Sequence, residues 1–308
     1  MSARLLLLAG RVRRACGVPG CTKAALLSGS ATEQAMRDWL AASEPDVRKA
    51  VEALWAKQGG RSLVQVMEAA VAQGGLPPEV VDLWREDYAR LVVEVIEPTT
   101  VVGATLAHRQ IVAALGVALP LEDFRAALDT WLEGHAAELV AGFTDVQREA
   151  LADVLRHYIV ESPRSGAQLA RIIRPMIGLD TRQAGAVLRL RRELEATPNI
   201  SPQEVDRQAK AYAARLQRVR AERIARTEMA TAFNQGHLAT VQAGVDSGLI
   251  VDEIQREWLT AEDERVCPVC NPLNGVVVAF DEPFPNGAEM APPLHPGCRC
   301  TVLYNVVE

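Results

Sequence analysis

The sequence is poor in aromatic residues and has no long apolar run. Aromatic residues make up 5% of its 308 positions, while alanine, leucine, valine, arginine and glutamate are frequent, which favours packed helices over a β-sandwich. No run approaches the roughly 18–20 apolar residues of a membrane span. The apolar run Leu5–Gly10 is shorter than the core of about 7–15 residues in a signal peptide. We therefore expect neither a membrane-integrated nor a secreted protein.

Charge is unevenly distributed along a chain whose composition is that of a globular protein. Hydrophobic residues make up 49% and charged residues 23%, and the length predicts two domains. The net charge is −6, yet residues 148–226 contain sixteen Lys and Arg against nine Asp and Glu. This basic segment indicates either solvated helix faces or a surface for nucleic acid or an acidic partner. The acidic chain as a whole argues against a general DNA-coating protein.

Helical patterns dominate from Ala31 onward, so the predicted fold is mainly α. Residues 1–30 lack periodicity and are expected to be poorly ordered, and residues 31–140 form a predicted helical domain. Apolar residues at helical spacing, including Trp39, Trp55 and Trp84, are interpreted as core. The same three tryptophans and Trp131 are also candidates for docking another helical protein. The predicted helices run from Ser43–Pro45 to Gly59, from Pro77 to Pro98, over 104–116 and over 121–141.

A second set of helices begins at four potential capping boxes. In each, a side-chain oxygen precedes Glu or Gln by three positions. The pairs are Thr144 with Gln147, Ser165 with Gln168, Asp180 with Gln183, and Ser201 with Glu204. The last opens a predicted long helix, whose apolar seam is Val205, Ala209, Tyr212, Leu216 and Val219.

The C-terminal part is predicted to be a small α+β unit. Asn274-Gly275 is typical of a type I′ hairpin turn, and residues 276–280 and 301–304 are predicted strands. Together with the preceding helices, these elements predict a helical plus small α+β, zinc-knuckle-like C-terminal domain over residues 141–308.

Five metal-binding residue types are concentrated between positions 267 and 300. Cys267-Pro-Val-Cys270 is followed by His295-Pro-Gly-Cys298-Arg-Cys300. Two pairs at i, i+3 spacing predict a tetrahedral zinc site, and our preferred ligands are Cys267, Cys270, His295 and Cys298. In the alternative set, Cys300 replaces His295. Four protein ligands leave no position for water, so the predicted single zinc is structural.

Two other interpretations of this cluster start from the same residues. It could be a set of reduced thiols, or form a disulfide only in an assembled particle. A base deaminase is rejected, because that chemistry uses an H-x-E motif before its CxxC, whereas His295 follows the CxxC.

Several spaced motifs together resemble a known family. They are Arg223-Ile-Ala-Arg226-Thr227-Glu228, Asn234-Gln-Gly236, Trp258, Asp263-Glu-Arg265-Val-Cys267-Pro-Val-Cys270, Leu273-Asn-Gly275 and Pro292-Pro-Leu-His295-Pro-Gly-Cys298-Arg-Cys300. In this order they resemble the head morphogenesis, or minor capsid, family of tailed bacteriophages named after the F protein of phage Mu. The resemblance covers about residues 140–308.

The resemblance implies a non-enzymatic component of the phage head. Such a protein binds the portal protein, enters the capsid near the portal in few copies, and supports head assembly and DNA packaging or delivery. It passes through the host cytoplasm during assembly, and the major capsid protein and packaged DNA are further candidate partners. The alternatives are a zinc-stabilised DNA-binding or regulatory protein, and a zinc-dependent hydrolase or nucleotide-transfer enzyme that uses Arg226, Glu228 and Glu264. We further expect Arg226 or Glu228 to pair with Asp263 or Arg265.

Overall fold

The computed structural model describes residues 29–60, 63–116, 119–250, 253–261, 263–285 and 290–307. The predicted poorly ordered segment therefore lies almost entirely outside the described residues, as do Cys16 and Cys21. The protein is mainly helical, with one small antiparallel sheet near the C-terminus, which confirms the predicted fold class. The zinc-knuckle-like character predicted for the C-terminal domain stays a prediction.

The helices follow one another along the first four-fifths of the chain. They are α1 (Gly29–Gly60), α2 (Leu63–Gln73), α3 (Pro78–Leu91), α4 (Glu97–Leu115), α5 (Leu121–Arg156), α6 (Gly166–Ile173), α7 (Thr181–Ala196) and α8 (Pro202–Asp246). Two π-helical segments, Val92–Ile96 and His157–Glu161, adjoin α3 and α5, and a 3₁₀ turn, Arg174–Met176, follows α6.

Two compact units are assembled from non-contiguous parts of the chain. The sheet unit contains the described residues of 29–47, 96–134 and 223–307. The helical unit contains residues 48–95 and 135–222 where described. The predicted domain boundary after residue 140 falls inside α5.

The sheet has the order β2-β1-β3, and all its pairs are antiparallel. Its strands are β1 (Glu253–Leu259), β2 (Val277–Ala279) and β3 (Thr301–Val307). The predicted strands over 276–280 and 301–304 are confirmed as β2 and β3. Strand β1 was not predicted, because Arg256 occupies an inward-facing position between Ile254 and Trp258.

The predicted hairpin at Asn274-Gly275 is wrong. Asn274 has φ −56° and ψ 123°, and Gly275 has φ +75°, which are the angles of a type II turn. The turn joins the 3₁₀ segment Asn271–Leu273 to β2 instead of joining two strands. It is fixed on β1, because the Gly275 N–H donates to the Trp258 carbonyl at 2.8 Å and Asn274 Oδ1 accepts the Thr260 N–H at 2.9 Å.

Two predicted helix ends at prolines are also wrong. Pro45 lies inside α1, where the Ser43 hydroxyl donates to the Trp39 carbonyl at 2.7 Å instead of capping a new helix. Trp39 and Val47 are both buried, so packing on either side of Pro45 outweighs the lost hydrogen bond. Pro98 lies in the first turn of α4, after the π segment, where a missing N–H costs little.

The four predicted caps have different outcomes. Ser165 and Asp180 form complete capping boxes with Gln168 and Gln183, and the Ser201 hydroxyl accepts the Glu204 N–H at 3.2 Å. The Thr144 cap is wrong, because Thr144 lies inside α5 and donates to the Val140 carbonyl at 2.7 Å.

Gln147, the other half of that predicted box, serves the core of the helical unit. Its Oε1 accepts hydrogen bonds from the Tyr88 hydroxyl at 2.8 Å and from the Gly178 N–H at 2.9 Å. The Tyr88 hydroxyl in turn accepts the Trp55 indole N–H at 3.0 Å. Gln147, which the sequence pattern predicted to cap a helix, is therefore part of a buried hydrogen-bond network between helices.

The core interpretation is confirmed for three of the N-terminal tryptophans, whereas Trp131 is only partly buried against a core cluster. Burial of the first three argues against their docking role, and docking through Trp131 stays a prediction. Trp39, Trp55 and Trp84 are at most 3% exposed. The apolar seam of α8 is partly wrong: Val219 is exposed, whereas Ala213 and Ala221 are fully buried. Small alanines, not the larger aliphatic residues, form the buried face here.

Within the part of the chain that the structure describes, one helical stretch, Pro78–Ala114, is long and apolar enough to cross a membrane by length and composition alone. Half of its most apolar window is buried within the structure, as also occurs in a core helix.

Gly236 marks a close approach between α8 and α4. A Cβ added there would lie 2.4 Å from the Ala104 Cα and 2.6 Å from its carbonyl oxygen. We expect Gly236→Ala to lower the free energy of unfolding by about 1–3 kcal/mol, because rigid backbone cannot move aside. Gly142→Ala is the matched control: it meets no atom within 4 Å inside α5 and should stabilise by roughly 0.5–1 kcal/mol. Denaturant titration checks both, and a neutral Gly236→Ala would contradict the close packing.

Candidate metal centre

The first half of the site is a tight turn after β1. The N–H groups of Cys270 and Asn271 donate to the Cys267 carbonyl at 3.1 and 3.0 Å, and the Cys270 N–H also lies 3.3 Å from Cys267 Sγ. This turn places both sulfur atoms on one side. Its apolar tip, Val269, is 54% exposed.

The second half is the turn at His295–Cys298, immediately before β3. The Cys298 N–H donates to the His295 carbonyl at 3.1 Å, and Gly297 has φ +80°, a conformation that favours glycine. Cys298 and Cys300 are both buried. Because β3 starts at Thr301 and pairs with β1, the sheet brings the second turn beside the first.

Five sulfur and nitrogen donors converge as two groups that share Cys270. Within each group, Cys267–Cys270–His295 and Cys270–Cys298–Cys300, the donor atoms all lie within 4.8 Å of one another. His295 Nε2 is 3.0 Å from Cys267 Sγ and 3.2 Å from Cys270 Sγ. Cys270 Sγ is 3.8 Å from Cys298 Sγ. Each group contains three of the five candidate ligands, and neither predicted set of four is contained in a single group.

The thiols of the cluster differ in acidity. A hydrogen bond from the Cys300 thiol, assisted by backbone N–H groups, lowers the pKa of Cys298 to about 5 despite burial. Burial also opposes ionisation of Cys267, but the N–H groups of Cys270 and Val269 and the nearby His295 together lower its pKa. Burial and the Cys298 charge raise the pKa of Cys270. Cys298 is therefore the thiol that ionises most readily, and a bound cation would favour ionisation of the others.

Helix α8 braces the second turn from the other side. Thr227 Oγ1 accepts the Gly297 N–H at 2.8 Å and donates to the Arg223 carbonyl at 2.8 Å. The Asn234 amide donates to the Cys300 carbonyl at 3.1 Å. The motif residues of α8 therefore hold the cluster in place without contributing a ligand.

Two bidentate ion pairs lie near these contacts between α8 and the second turn, and they differ from the predicted pairing. Arg226 binds Glu44 of α1 at 3.0 and 3.1 Å. Arg299 binds Asp263 at 2.6 Å through both nitrogens, and this bond holds the pKa of Asp263 well below its usual range. The predicted pairing of Arg226 with Asp263 is wrong. Glu44 is remote from Arg226 in the sequence, and the spacing of the motif Cys298-Arg-Cys300 gives no sign that its arginine binds Asp263.

Comparison with known proteins shows what this region is similar to. Residues 165–303 match the family described as Phage Mu protein F like protein. We call these residues the Phage Mu F-like region. The match confirms the resemblance found from the spaced motifs, and this family is one of phage head morphogenesis proteins. Neither a curated protein nor a solved structure matches the chain.

The Phage Mu F-like region contains all five residues of the cluster and most of their supports. It begins at Ser165, the N-cap of α6, and ends within β3. Glu44 lies outside it, so the Arg226 ion pair joins the family region to the N-terminal helix α1.

Arg256 of the Phage Mu F-like region is a functional support that sequence reasoning missed. Its side chain is fully buried and donates to the carbonyls of Ala279, Glu282 and Met290. The guanidinium also lies 5.1 Å from the Phe284 ring centroid. Arg256 thereby ties the loop that leads from β2 toward the second turn to β1. The alternation of Ile254, Arg256 and Trp258 was its only signal.

His237 on α8 is a buried neutral histidine, not a ligand. Its Nε2 lies 3.1 Å from Gln110 Oε1, and its ring packs edge-on against Tyr304. Burial lowers its pKa to about 3. The proton is therefore bound more tightly in the unfolded chain, whose histidine titrates near 6.5, and this contribution to stability is lost as pH falls from about 6.5 toward 3.

We expect His237→Gln to reduce the acid sensitivity of the protein. Between pH 7 and pH 4.5 the wild type should lose roughly 2–3 kcal/mol more than the variant, at about 1.4 kcal/mol per pH unit. Chemical denaturation of both proteins at several pH values measures this difference. His135→Gln makes the same substitution at a half-buried histidine on α5 and controls for the change of side chain. Parallel curves for wild type and His237→Gln would show that His237 is not the titrating group.

Proposed function

We propose that the protein is a minor component of a phage head that binds the portal protein. In this proposal it enters the head in few copies, lies inside the capsid near the portal, and supports head assembly and DNA packaging or delivery. The family match over residues 165–303 supports it most directly. Virion location follows from the same family, with the host cytoplasm as the place of assembly.

We also propose that the Cys/His cluster holds one structural zinc through Cys267, Cys270, His295 and Cys298. Tetrahedral bonds of about 2.3 Å put two sulfur ligands about 3.8 Å apart, and the Cys270–Cys298 separation is 3.8 Å. When bound, zinc would supply folding free energy and compensate the thiolates. The alternative set replaces His295 with Cys300, which lies beside Cys270 and Cys298.

A structural role accounts for the surroundings of the cluster better than catalysis does. The residues proposed for an enzyme are otherwise engaged or dispersed: Arg226 is held by Glu44, Glu228 is buried in α8 and Glu264 is exposed. Four protein ligands also leave no coordination position for substrate or water. Thr227 and Asn234 of α8 instead bind the backbone of the second turn, and Arg299 binds Asp263.

The basic segment gives weaker support to direct DNA contact. At least eight of its sixteen cations form intramolecular ion pairs, as Arg191 does with Asp206 and Glu195. Others pair within a helix turn, such as Arg156 with Asp153 and Arg207 with Glu204. The major capsid protein and packaged DNA therefore remain secondary candidates, and the portal is the partner we propose first.

Co-expression of the full chain with the portal protein of the same phage tests this function. The account expects a complex that survives size-exclusion chromatography, and quantitative mass spectrometry of purified heads should find the chain in fewer copies than the major capsid protein. A portal from an unrelated phage is the control. Absence from purified heads, together with no portal complex, would contradict the proposal.

A further inference from the structure

The helical unit contains a cavity of about 560 Å³ between α1, the 3₁₀ turn after α6, and α8. Its apolar wall is formed by Trp55 and Ala56 of α1, Pro175 of the turn and Ala214 of α8. Trp55 is held rigidly, because its indole N–H donates to the Tyr88 hydroxyl. The volume lies in the range of about 300–1,000 Å³ of small-molecule sites, which suits a few side chains of a peptide.

Cations line the same cavity, and two of them are unpaired. Arg171, Arg174 and Lys210 are exposed residues on its lining. Arg171 reaches a carboxylate oxygen of Asp206 only at 3.9 Å. Among the residues that the structure describes, neither Arg174 nor Lys210 has an ion-pair partner.

The two acidic residues of the lining are already compensated. Glu52 receives both of its hydrogen bonds from Arg48, at 2.9 and 3.0 Å, and Asp206 is bound by Arg191. Neither Arg48 nor Arg191 lines the cavity. The charge left uncompensated inside the cavity is therefore positive, and it lies beside an apolar wall.

We propose that this cavity binds an acidic, amphipathic peptide segment of another protein. A carboxylate of the segment binds Arg174 and Lys210, and an adjacent aliphatic or aromatic side chain packs against Trp55 and Ala214. A nucleic acid fits less well, because the wall beside the cations is apolar and offers nothing to the further phosphates of a polyanion. This proposal goes beyond the proposed function and does not rest on it. The lining residues determine which kind of peptide binds, and this does not depend on the protein to which the peptide belongs.

The test is selection of short random peptides on the immobilised full-length protein, followed by fluorescence anisotropy with the selected peptides. They should be enriched in Asp or Glu next to Leu, Ile or Phe. Arg174→Ala combined with Lys210→Ala should weaken their binding about tenfold or more, because charge-assisted bonds are lost. Ala214→Glu should do the same by placing a competing carboxylate in the cavity.

The matched control variants make the same changes of charge at residues that do not line the cavity. Arg189→Ala with Arg192→Ala removes two exposed cations of α7, and Ala211→Glu adds a carboxylate on α8 at a residue outside the lining. Each should change the affinity less than about twofold, and circular dichroism verifies that all variants are folded. The proposal is overturned by selected peptides without acidic enrichment, by equal loss in test and control variants, or by an oligonucleotide that binds through Arg174 and Lys210 when no peptide does.

Discussion

Cys270→Ser should remove the metal from the protein and unfold the region around it. Purified without chelator, the wild type is expected to contain about one zinc per chain by elemental analysis, and this variant almost none. Cys270 belongs to both donor groups, so its loss breaks either proposed ligand set. Structural zinc contributes folding free energy on the order of 10 kcal/mol, so hydrogen exchange in β1 and β3 should become fast.

Two other variants separate the ligand sets and serve as controls. If His295 is a ligand, His295→Asn loses zinc while Cys300→Ser keeps it; the reverse pattern would establish the alternative set. Val269→Ala, at the exposed tip of the first turn, should keep both zinc and fold. Folded wild type with no bound metal, or a Cys270→Ser protein as stable as Val269→Ala, would contradict the metal centre.

Arg256→Met is expected to lower the free energy of unfolding by about 3–5 kcal/mol, since hydrogen bonds that involve a charged group contribute roughly 1.5–3 kcal/mol each and part of this is offset because methionine needs no buried charge. Three carbonyls depend on this guanidinium, those of Ala279, Glu282 and Met290. Methionine fills similar volume against Phe284 but donates nothing. Denaturant titration measures the change, and hydrogen exchange should locate it in β2 and the loop that follows.

Two substitutions control for charge and for volume. Arg256→Lys keeps the charge but presents a single ammonium in place of a planar fork, so its effect should be intermediate. Arg265→Met, at an arginine with an 83% exposed side chain, should change stability by less than about 0.5 kcal/mol. A nearly neutral Arg256→Met would show that the loop is fixed by other contacts.

Local signals predicted the parts of the fold that depend on local chemistry. The capping boxes at Ser165 and Asp180 depend on spacings within short segments, and those predictions are confirmed. The two i, i+3 spacings of the Cys/His motif are local in the same way, and their residues lie in two donor groups that share Cys270. Predictions failed where tertiary packing decided the outcome. Helix α1 continues through Pro45 because the residues on either side of it are buried. Gln147 accepts hydrogen bonds from Tyr88 and Gly178 instead of forming a cap.

The supports of the metal centre were less predictable than its candidate ligands. Glu44 and Arg226 are 182 positions apart, and no local pattern connects them. An arginine in a strand usually lies on the protein surface. The burial of Arg256 could therefore not be predicted, because its carbonyl partners lie in a loop that is distant in the sequence. The motif Arg226-Thr227-Glu228 was noticed as a polar seam, but its role in holding Gly297 and Glu44 required the fold.

Zinc K-edge X-ray absorption of the full-length protein tests the central claim most directly, namely that the cluster is a closed structural site. The account predicts three sulfur ligands at about 2.3 Å and one nitrogen at about 2.0–2.1 Å, with no oxygen, and the same spectrum for Cys300→Ser. An oxygen ligand or an open coordination position would contradict it and favour a catalytic site.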